Sequence, residues 1–478
     1  MTALLRVASG PSVGCIVGAL LLANGVPFGP AYIAGLVAWM AFWWVTEAVP
    51  IEVTALLPII VIPFSGIYER NALGETCAPY ADKNVFFFLG GFGLGLAIER
   101  TDLHRIGALY LLRIAGRNGA NVIGAFMLAT AMISMWVNNT ATTMLMLPLA
   151  MSAIAIQSDR RFAAPLLIGI AFASSIGGMA TLVGTAPNIF FTSFLAKEGK
   201  SIDFLAWVYV AGPVSAFLLV GAWIWLVYFL FPVRRFQVAI PEEWLDEFRG
   251  RRSLSRDQWI TLAVFLSAAM TWILKEPILR IASASGWDSV HAVLQRVEDP
   301  WVAMAALVTL LLVPFSKPIL AWKDVEGVPW GVLMLLGGGL SLAKAIEASS
   351  LDQRIASVAA HFAGLHPWIV LTLVVAIVIA ISELASNLAT ATALIPILSE
   401  AGPAMGIDQI SLLTAVVLAS SCGFMLPVAT PPNTLVYSQR KFPAGDMIRA
   451  GFVVNLLAIL AIPIAVLQLR FLLGNIGP

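Results

Sequence analysis

The chain has 478 residues, of which 59% are hydrophobic and only 12% charged, and its formal net charge is +1. An ordinary soluble domain carries about 25% charged residues, so this composition excludes a series of soluble domains. The near-neutral charge also excludes the basic surface that binds nucleic acid, and no nucleic-acid partner is expected.

Stretches without Asp, Glu, Lys or Arg make up much of the chain. They cover residues 7–46, 118–158, 162–196, 204–233, 355–382 and 409–439. A helix needs roughly 20 apolar residues to cross the hydrocarbon core of a bilayer. Because these runs are continuous and do not alternate with period two, the sequence predicts an all-α polytopic membrane protein and not a β-barrel.

The apolar segments can be placed in chain order, and several have an unusual length. They are predicted at residues 12–28, 31–48, 52–66, 83–98, 104–115, 120–157, 162–196, 204–232, 258–275, 300–315, 328–346, 352–362, 366–400, 408–438 and 447–475. The longest ones exceed a single straight crossing, and each has a polar or proline-rich break near its middle. Interrupted segments at matching places in two halves of a chain are a sequence indicator of a transporter binding site.

One well-charged connector, residues 234–257, separates two apolar segments. Its arginines place it on the cytoplasmic side by the positive-inside rule. It is either a solvated connector or an amphipathic helix on the membrane surface, with Trp244, Leu245 and Phe248 towards the lipid.

Two parts of the chain repeat each other at a nearly constant spacing. Residues 139–142 (Asn-Thr-Ala-Thr) are matched 248 residues later by 387–390 (Asn-Leu-Ala-Thr). Residues 184–188 (Gly-Thr-Ala-Pro-Asn) are matched 245 residues later by 429–433 (Ala-Thr-Pro-Pro-Asn). A constant spacing followed by a small slip indicates a duplicated unit.

Each repeat is predicted to contain a glycine-rich re-entrant hairpin, a span and two long broken helices. The hairpins are placed at residues 83–98 and 328–346, whose Gly-Gly pairs keep the 248-residue spacing. The predicted domains are scaffold helices at 1–82, a first transport repeat at 83–200, scaffold helices with the connector at 201–327, a second transport repeat at 328–440 and a C-terminal helix at 441–478.

The breaks in the apolar segments contain the polar side chains that could bind a ligand. Six polar side chains lie within residues 134–143 of an otherwise apolar run, and polar groups in hydrocarbon must be hydrogen-bonded or line a wet cavity. A half-helix that begins near Asn139 presents free N–H groups to an anion. Carbonyls released by the break, with oxygens of Ser134 and Asn138, suit a hard monovalent cation. The alternative is a kinked helix whose small polar residues serve only packing.

The second copy and the proline-rich loops repeat this pattern. Residues 382–387 (Ser-Glu-Leu-Ala-Ser-Asn) resemble the first break, and Thr185 and Thr430 are predicted to face the same cavity. Glu47 and Glu383 are acids within apolar runs, which favours a functional role. For Glu383 the sequence leaves two roles open, a buried hydrogen-bonded acid or a part of a cation site.

No catalytic constellation, ATP-binding loop or metal motif is present, so an enzyme is not predicted and uphill transport must be driven by ions. The three cysteines are scattered, which gives no disulfide framework and no zinc site. We expect sodium as the coupling ion and no organic cofactor.

These residues resemble the divalent anion/sodium symporter family, the di- and tricarboxylate transporters. The resemblance spans nearly the whole chain. It begins at residues 43–50 (Trp-Trp-Val-Thr-Glu-Ala-Val-Pro), continues at 88–92 (Phe-Leu-Gly-Gly-Phe), and is most specific at the paired Asn/Thr motifs and the proline loops. It implies a homodimer in the bilayer, with a static scaffold and a transport domain that moves as an elevator.

The resemblance also implies which residues bind substrate and sodium. A carboxylate substrate would be surrounded by Asn139, Thr140, Thr185, Asn387, Leu388, Thr430 and Pro431. Sodium site 1 would be formed by Ser134, Asn138, Asn139 and Gly184. Sodium site 2 would be formed by Ser382, Ala385, Asn387 and Ala429.

This chain departs from the family pattern at three of these motif positions. Asn138 replaces a serine, Leu388 replaces a threonine and Ala186 replaces a proline. Leu388 lacks a hydroxyl donor, and the loss of one hydrogen bond to a charged group costs roughly 1.5–3 kcal/mol, enough to change substrate preference.

The sequence therefore predicts sodium-coupled uptake of a C4 dicarboxylate such as succinate, malate or fumarate across the bacterial inner membrane. Exchange of dicarboxylates, or transport of a tricarboxylate or sulfate, is the alternative within the family. A membrane-embedded enzyme acting on a lipid-linked substrate, or a passive channel, is the alternative of another class.

Overall fold

Helices provide nearly all of the regular structure. The computed structural model describes residues 3–46, 48–157, 160–200, 202–233, 236–239, 254–313, 317–362 and 364–474. Over these ranges there is no β-strand, only an isolated bridge between Asn118 and Gln237, and the predicted all-α class is confirmed. Glu47 and most of the connector, including Trp244, Leu245 and Phe248, lie outside the described residues.

The helices that precede the connector include the first broken pair. They are α1 (Ala3–Ala23), α2 (Phe28–Thr46), α3 (Ile51–Ala55), α4 (Leu57–Val61), α5 (Ala72–Cys77), α6 (Lys83–Arg100), α7 (Leu103–Ala115), α8 (Gly119–Ser134), α9 (Asn139–Ala155), α10 (Ala163–Met179), α11 (Ala186–Lys197) and α12 (Phe204–Ile224). The last of these continues as a π-helical turn at Trp225–Leu230.

The helices that follow the connector include the second broken pair. They are α13 (Arg256–Ala284), α14 (Asp288–Gln295), α15 (Asp299–Leu312), α16 (Trp322–Val325), α17 (Trp330–Ala348), α18 (Leu351–Ala359), α19 (Pro367–Ser382), α20 (Asn387–Leu398), α21 (Ala401–Ala404), α22 (Gln409–Ser420), α23 (Pro431–Tyr437) and α24 (Ala444–Gly474). Short 3₁₀ turns lie at Ile62–Phe64, Ala78–Ala81, Arg160–Phe162 and Ala360–Phe362.

Several helices have the length and composition of membrane spans. In the described part of the chain, five are long and apolar enough to cross a bilayer, namely Ala72–Arg100, Phe204–Leu230, Arg256–Ala284, Trp330–Ala348 and Ala444–Gln468. Ten shorter apolar helices accompany them, including both halves of the broken segments around residues 134–139 and 382–387. The chain is therefore an integral membrane protein.

The glycine-rich segments are continuous helices, so the prediction that places the re-entrant hairpins there is wrong. Segment 83–98 lies within α6 and segment 328–346 lies within α17. Their glycines allow close packing: a Cβ on Gly90 would stand 2.4 Å from the carbonyl carbon of Ala303, and a Cβ on Gly338 would stand 2.2 Å from the carbonyl oxygen of Ala55.

The hairpin of the first repeat is formed by α8 and α9 instead. Residues 236–239 bind both of its outer ends: Gly119 N donates to Phe236 O at 2.8 Å, and Gln157 Nε2 donates to Ala239 O at 2.9 Å. The outer ends of α8 and α9 therefore lie close together, and the turn at residues 135–138 is the tip of the hairpin.

The two helices that carry the proline loops form the centre of the protein. Every residue of α10 is buried, and so is every residue of α22. Helices that are apolar all round belong in the core of a large protein or within a membrane. Each is followed by a loop and a second half-helix, α11 after α10 and α23 after α22, so the core fixes the positions of both loops.

Candidate functional site

The four predicted breaks meet at one cavity of about 460 Å³. All seven residues predicted to surround a carboxylate line it: Asn139, Thr140, Thr185, Asn387, Leu388, Thr430 and Pro431. Asn138 and Gly184 line it as well. Segments more than 240 residues apart in sequence are thus brought together, as the duplicated motifs predict.

The remaining predicted sodium ligands lie behind the wall of the cavity. Ser134 and Ser382 are fully buried, and Ala385 and Ala429 are each 3% exposed. None of these four residues lines the cavity.

The same serine–asparagine hydrogen bond spans the break in each of the two repeats. Ser134 Oγ donates to Asn139 Oδ1 at 2.9 Å, and Ser382 Oγ donates to Asn387 Oδ1 at 3.0 Å. Both asparagine side-chain carbonyls are fixed in this way at the first residue of a helix, α9 or α20.

Asn138 acts as the N-cap of α9. Its Oδ1 accepts from Ala141 N at 2.9 Å, as the hydroxyl of Ser386 accepts from Ala389 N at 3.2 Å at the start of α20. Asn and Ser are both strong N-caps, because a short side-chain oxygen reaches the free N–H groups of the first turn. The departure from serine at position 138 therefore preserves the cap.

The two proline loops are closed by matching asparagines. Asn188 Nδ2 donates to Thr181 O at 2.8 Å and to Met179 O at 3.2 Å. In the second repeat, Asn433 Nδ2 donates to Gly423 O at 3.1 Å and to Leu426 O at 3.0 Å. These bonds satisfy carbonyls that the interrupted helix leaves free, which explains why the loops can be buried.

Two threonines follow the loops in an extended conformation and start the second half-helices. Thr185 has φ −143° and ψ 145°, and Thr430 has φ −138° and ψ 150°. The hydroxyl of Thr430 accepts from Asn433 N at 3.3 Å, whereas Thr185 makes no capping bond. Prolines occupy the first turns of α11 and α23, where a missing N–H costs nothing.

No residue that lines the cavity carries a charge. Its polar groups are the side chains of Asn138, Asn139, Thr140, Thr185, Ser386, Asn387 and Thr430. Three helices of twelve residues or more, α9, α11 and α20, begin at the cavity and direct their free N–H groups towards it. The groups available to a ligand here are amides, hydroxyls and helix N-termini, with no guanidinium or ammonium group among the lining residues.

Several residues around the site are not identified by the motifs. An apolar part of the wall is formed by Phe92, which belongs to the 88–92 motif, and by Ile51, Met144, Val183 and Val332, which carry no sequence signal beyond their apolar character. Asn455 lies behind the second repeat at 4% exposure. The sequence signal for this residue is that it is the single asparagine in the apolar helix α24.

Comparison with known sequences gives matches over nearly the whole chain. The family model described as the sodium:sulfate symporter transmembrane region matches residues 4–474. The sodium-dependent dicarboxylate transporter SdcS of Staphylococcus saprophyticus is 33% identical over 486 residues, which covers 96% of this chain and 91% of the relative. The protein of the same name from Staphylococcus aureus strain NCTC 8325 is 31% identical over 488 residues, with the same coverage.

Two solved structures share the fold at low sequence identity. The YdaH transporter of Alcanivorax borkumensis has a TM-score of 0.60 and 16% identity, and the alignment covers 86% of this chain and 90% of that one. MtrF of Neisseria gonorrhoeae has a TM-score of 0.57 and 13% identity, with 89% and 96% covered.

Proposed function

The chain belongs to the sodium:sulfate symporter family, and we propose that it imports a C4 dicarboxylate such as succinate, malate or fumarate together with sodium. Members of this family are transporters and not enzymes. Support for the substrate class comes from the two staphylococcal relatives, which are named sodium-dependent dicarboxylate transporters and align with 96% of this chain.

The uncharged lining of the cavity carries the proposal. A doubly charged anion in a site of low dielectric binds poorly unless opposite charge is supplied nearby. The lining provides amide and hydroxyl donors but no cation, so the compensating charge has to come from bound ions. The paired oxygen clusters behind the wall, around Ser134 and Ser382, are suitable for two sodium ions.

Coupling follows from this arrangement. Sodium in sites 1 and 2 raises the affinity for the dianion, and by linkage the dianion raises the affinity for sodium by the same factor. Asn139 and Asn387 belong to both the predicted substrate shell and a predicted sodium site. Each of these side chains is therefore the direct link between an ion and a carboxylate.

Movement of the site is proposed to be an elevator motion within a homodimer in the bacterial inner membrane. The residues of the site come from predicted transport repeats 83–200 and 328–440, apart from Ile51. Support for treating the two repeats as one body comes from the packing of α10 against α23 and of α11 against α20 and α22. That body would carry the substrate past scaffold segments 1–82 and 201–327.

Uptake by proteoliposomes tests the proposal. Succinate uptake is expected to require an inward sodium gradient, and Asn139→Ala and Asn387→Ala are each expected to lower the rate at least about tenfold. That magnitude corresponds to the loss of one hydrogen bond to a charged group. Asn121→Ala is the matched control, because Asn121 is exposed on α8, and it should retain the wild-type rate.

Other outcomes identify the alternatives. Uptake that ignores sodium but requires internal dicarboxylate would show an exchanger. Stronger competition by citrate or sulfate than by succinate would indicate a tricarboxylate or sulfate transporter of the same family. Flux without saturation or counterflow would indicate a channel and contradict the proposal.

A further inference from the structure

Glu383 is a buried acid whose two oxygens both bind the loop after α22. Its Oε1 accepts from Phe424 N and from Met425 N, each at 2.8 Å, and its Oε2 accepts from Leu426 N at 2.9 Å. The side chain is 7% exposed. One carboxylate, next to Ser382 in sequence, therefore accepts hydrogen bonds from three successive main-chain N–H groups.

Asn455 supplies a fourth donor from another helix. Its Nδ2 donates to Glu383 Oε1 at 2.7 Å across 72 residues of sequence. Oε1 therefore accepts three hydrogen bonds and Oε2 accepts one, so the carboxylate is held by four N–H donors within the protein. Of the two roles that the sequence leaves open for Glu383, the geometry favours the hydrogen-bonded acid over a direct cation ligand.

The hydrogen bonds continue from Glu383 to a predicted sodium ligand. Leu426, whose N–H is bound by Glu383, accepts through its carbonyl oxygen from Ala429 N at 3.1 Å. The same carbonyl accepts from Asn433 Nδ2 at 3.0 Å. An unbroken series of hydrogen bonds thus runs from Asn455 through Glu383 and Leu426 to Ala429 of site 2.

The first repeat makes the corresponding connection without a charge. Met135, Thr181 and Gly184 stand at the positions that match Glu383, Leu426 and Ala429. The hydroxyl of Thr181 donates to the carbonyl oxygen of Met135, and Gly184 N donates to Thr181 Oγ1 at 3.2 Å. A neutral hydroxyl therefore does at site 1 what a carboxylate and its amide partner do at site 2.

We propose that Asn455 and Glu383 are positioning residues that hold the Ala429 carbonyl for sodium at site 2, and that the two sodium sites are therefore stabilised by different chemistry. The inference rests on the proposed sodium coupling. Without the amide of Asn455, the carboxylate lacks one donor and the 424–429 loop loses part of its anchor. Sodium at site 1 depends on Thr181 and is independent of this series.

Hydrogen exchange of the purified full-length protein tests the inference at each site separately. Exchange is followed in peptides that contain residues 424–429 and 181–184 while sodium replaces choline at constant ionic strength, with no substrate present. The variants are Asn455→Leu and Glu383→Gln, which keep the side-chain size. Thr181→Val is the matched variant of the first repeat.

In Asn455→Leu and Glu383→Gln, the sodium concentration that half-protects 424–429 is expected to rise about tenfold, and that for 181–184 should stay unchanged. Thr181→Val is expected to give the opposite pattern. The tenfold value is the low end for a hydrogen bond to a charged group. Site selectivity is the readout that a general loss of stability would not produce.

Each remaining outcome is decisive. If sodium protects both loops of the wild type and Asn455→Leu leaves 424–429 unchanged, the inference fails while sodium coupling stands. An equal shift in both peptides would show general destabilisation and would also overturn it. If sodium protects neither loop of the wild type, the proposed function fails together with the inference.

Discussion

Gly178 lies directly against Asn139. A Cβ built on Gly178 would stand 2.2 Å from Asn139 Oδ1, and it would also come within 3.1 Å of the Gly184 carbonyl oxygen. Both atoms belong to predicted sodium site 1. The absence of a side chain at position 178 therefore allows α10 to approach the tip of the first hairpin.

Gly178→Ala should weaken the sodium dependence of uptake strongly. The new methyl group has to displace the Asn139 side chain, which breaks its hydrogen bond with Ser134 and removes an oxygen from site 1. We expect the sodium concentration for half-maximal uptake to rise about tenfold or more, because a lost ligand and a lost hydrogen bond together exceed about 1.4 kcal/mol. This concentration is measured from the uptake rate at increasing concentrations of sodium.

The second repeat offers the matched control. Gly423 stands 245 residues after Gly178, but a Cβ there would meet its nearest atoms, Ser382 O and the Ala429 methyl, at 3.2 and 3.3 Å. Small shifts of a few tenths of an ångström accommodate it. Gly423→Ala should change the sodium requirement less than about threefold, and equal effects of the two substitutions would contradict the argument.

The paired breaks could be predicted from sequence because their signal is local. Asn139 and Asn387 stand at one spacing within apolar runs, and polar residues at that depth need partners or a wet cavity. The structure brings both to one cavity. The connection between residues and geometry is direct here, since each motif ends one helix and starts the next.

The hairpin position and the role of Glu383 could not be predicted in the same way. Glycines such as Gly90 permit either a break or a close approach of two helices, and only the position of Ala303 shows which applies. Similarly, the donors to Glu383 lie 41 to 72 residues further along the chain. Partners at such separation leave no periodic pattern in the sequence.

Leu388→Thr should change the order of preference among substrates. Leu388 lines the cavity at the position that matches Thr140 in the first repeat, so the hydroxyl at position 140 has no counterpart at position 388. A restored hydroxyl adds one donor for a carboxylate or sulfate oxygen, worth roughly 1.5–3 kcal/mol in a bond to a charged group. Competition of succinate uptake by citrate, sulfate and fumarate measures the order.

The complementary substitution at the matching position of the first repeat, Thr140→Leu, provides a comparison for this prediction. It removes the hydroxyl at position 140 and should lower the affinity for every dicarboxylate by about tenfold or more, without a new preference. An unchanged order in Leu388→Thr, with normal sodium dependence, would show that position 388 does not set selectivity.

Gly90→Ala should destabilise the protein, whereas Gly107→Ala should not. A methyl group on Gly90 would stand 2.4 Å from the main chain of Ala303, so α6 and α15 would have to separate, and such overpacking typically costs 1–3 kcal/mol. Gly107 lies in α7 with nothing within 4 Å of a built Cβ, and alanine gains about 1 kcal/mol of helix propensity there. Thermal unfolding in detergent, followed by tryptophan fluorescence, compares the two. A lower melting temperature for Gly90→Ala and an equal or higher one for Gly107→Ala are expected. Because both changes add the same methyl group to a helical glycine, opposite signs can arise only from packing, and equal melting temperatures would refute close packing as the reason for glycine at position 90.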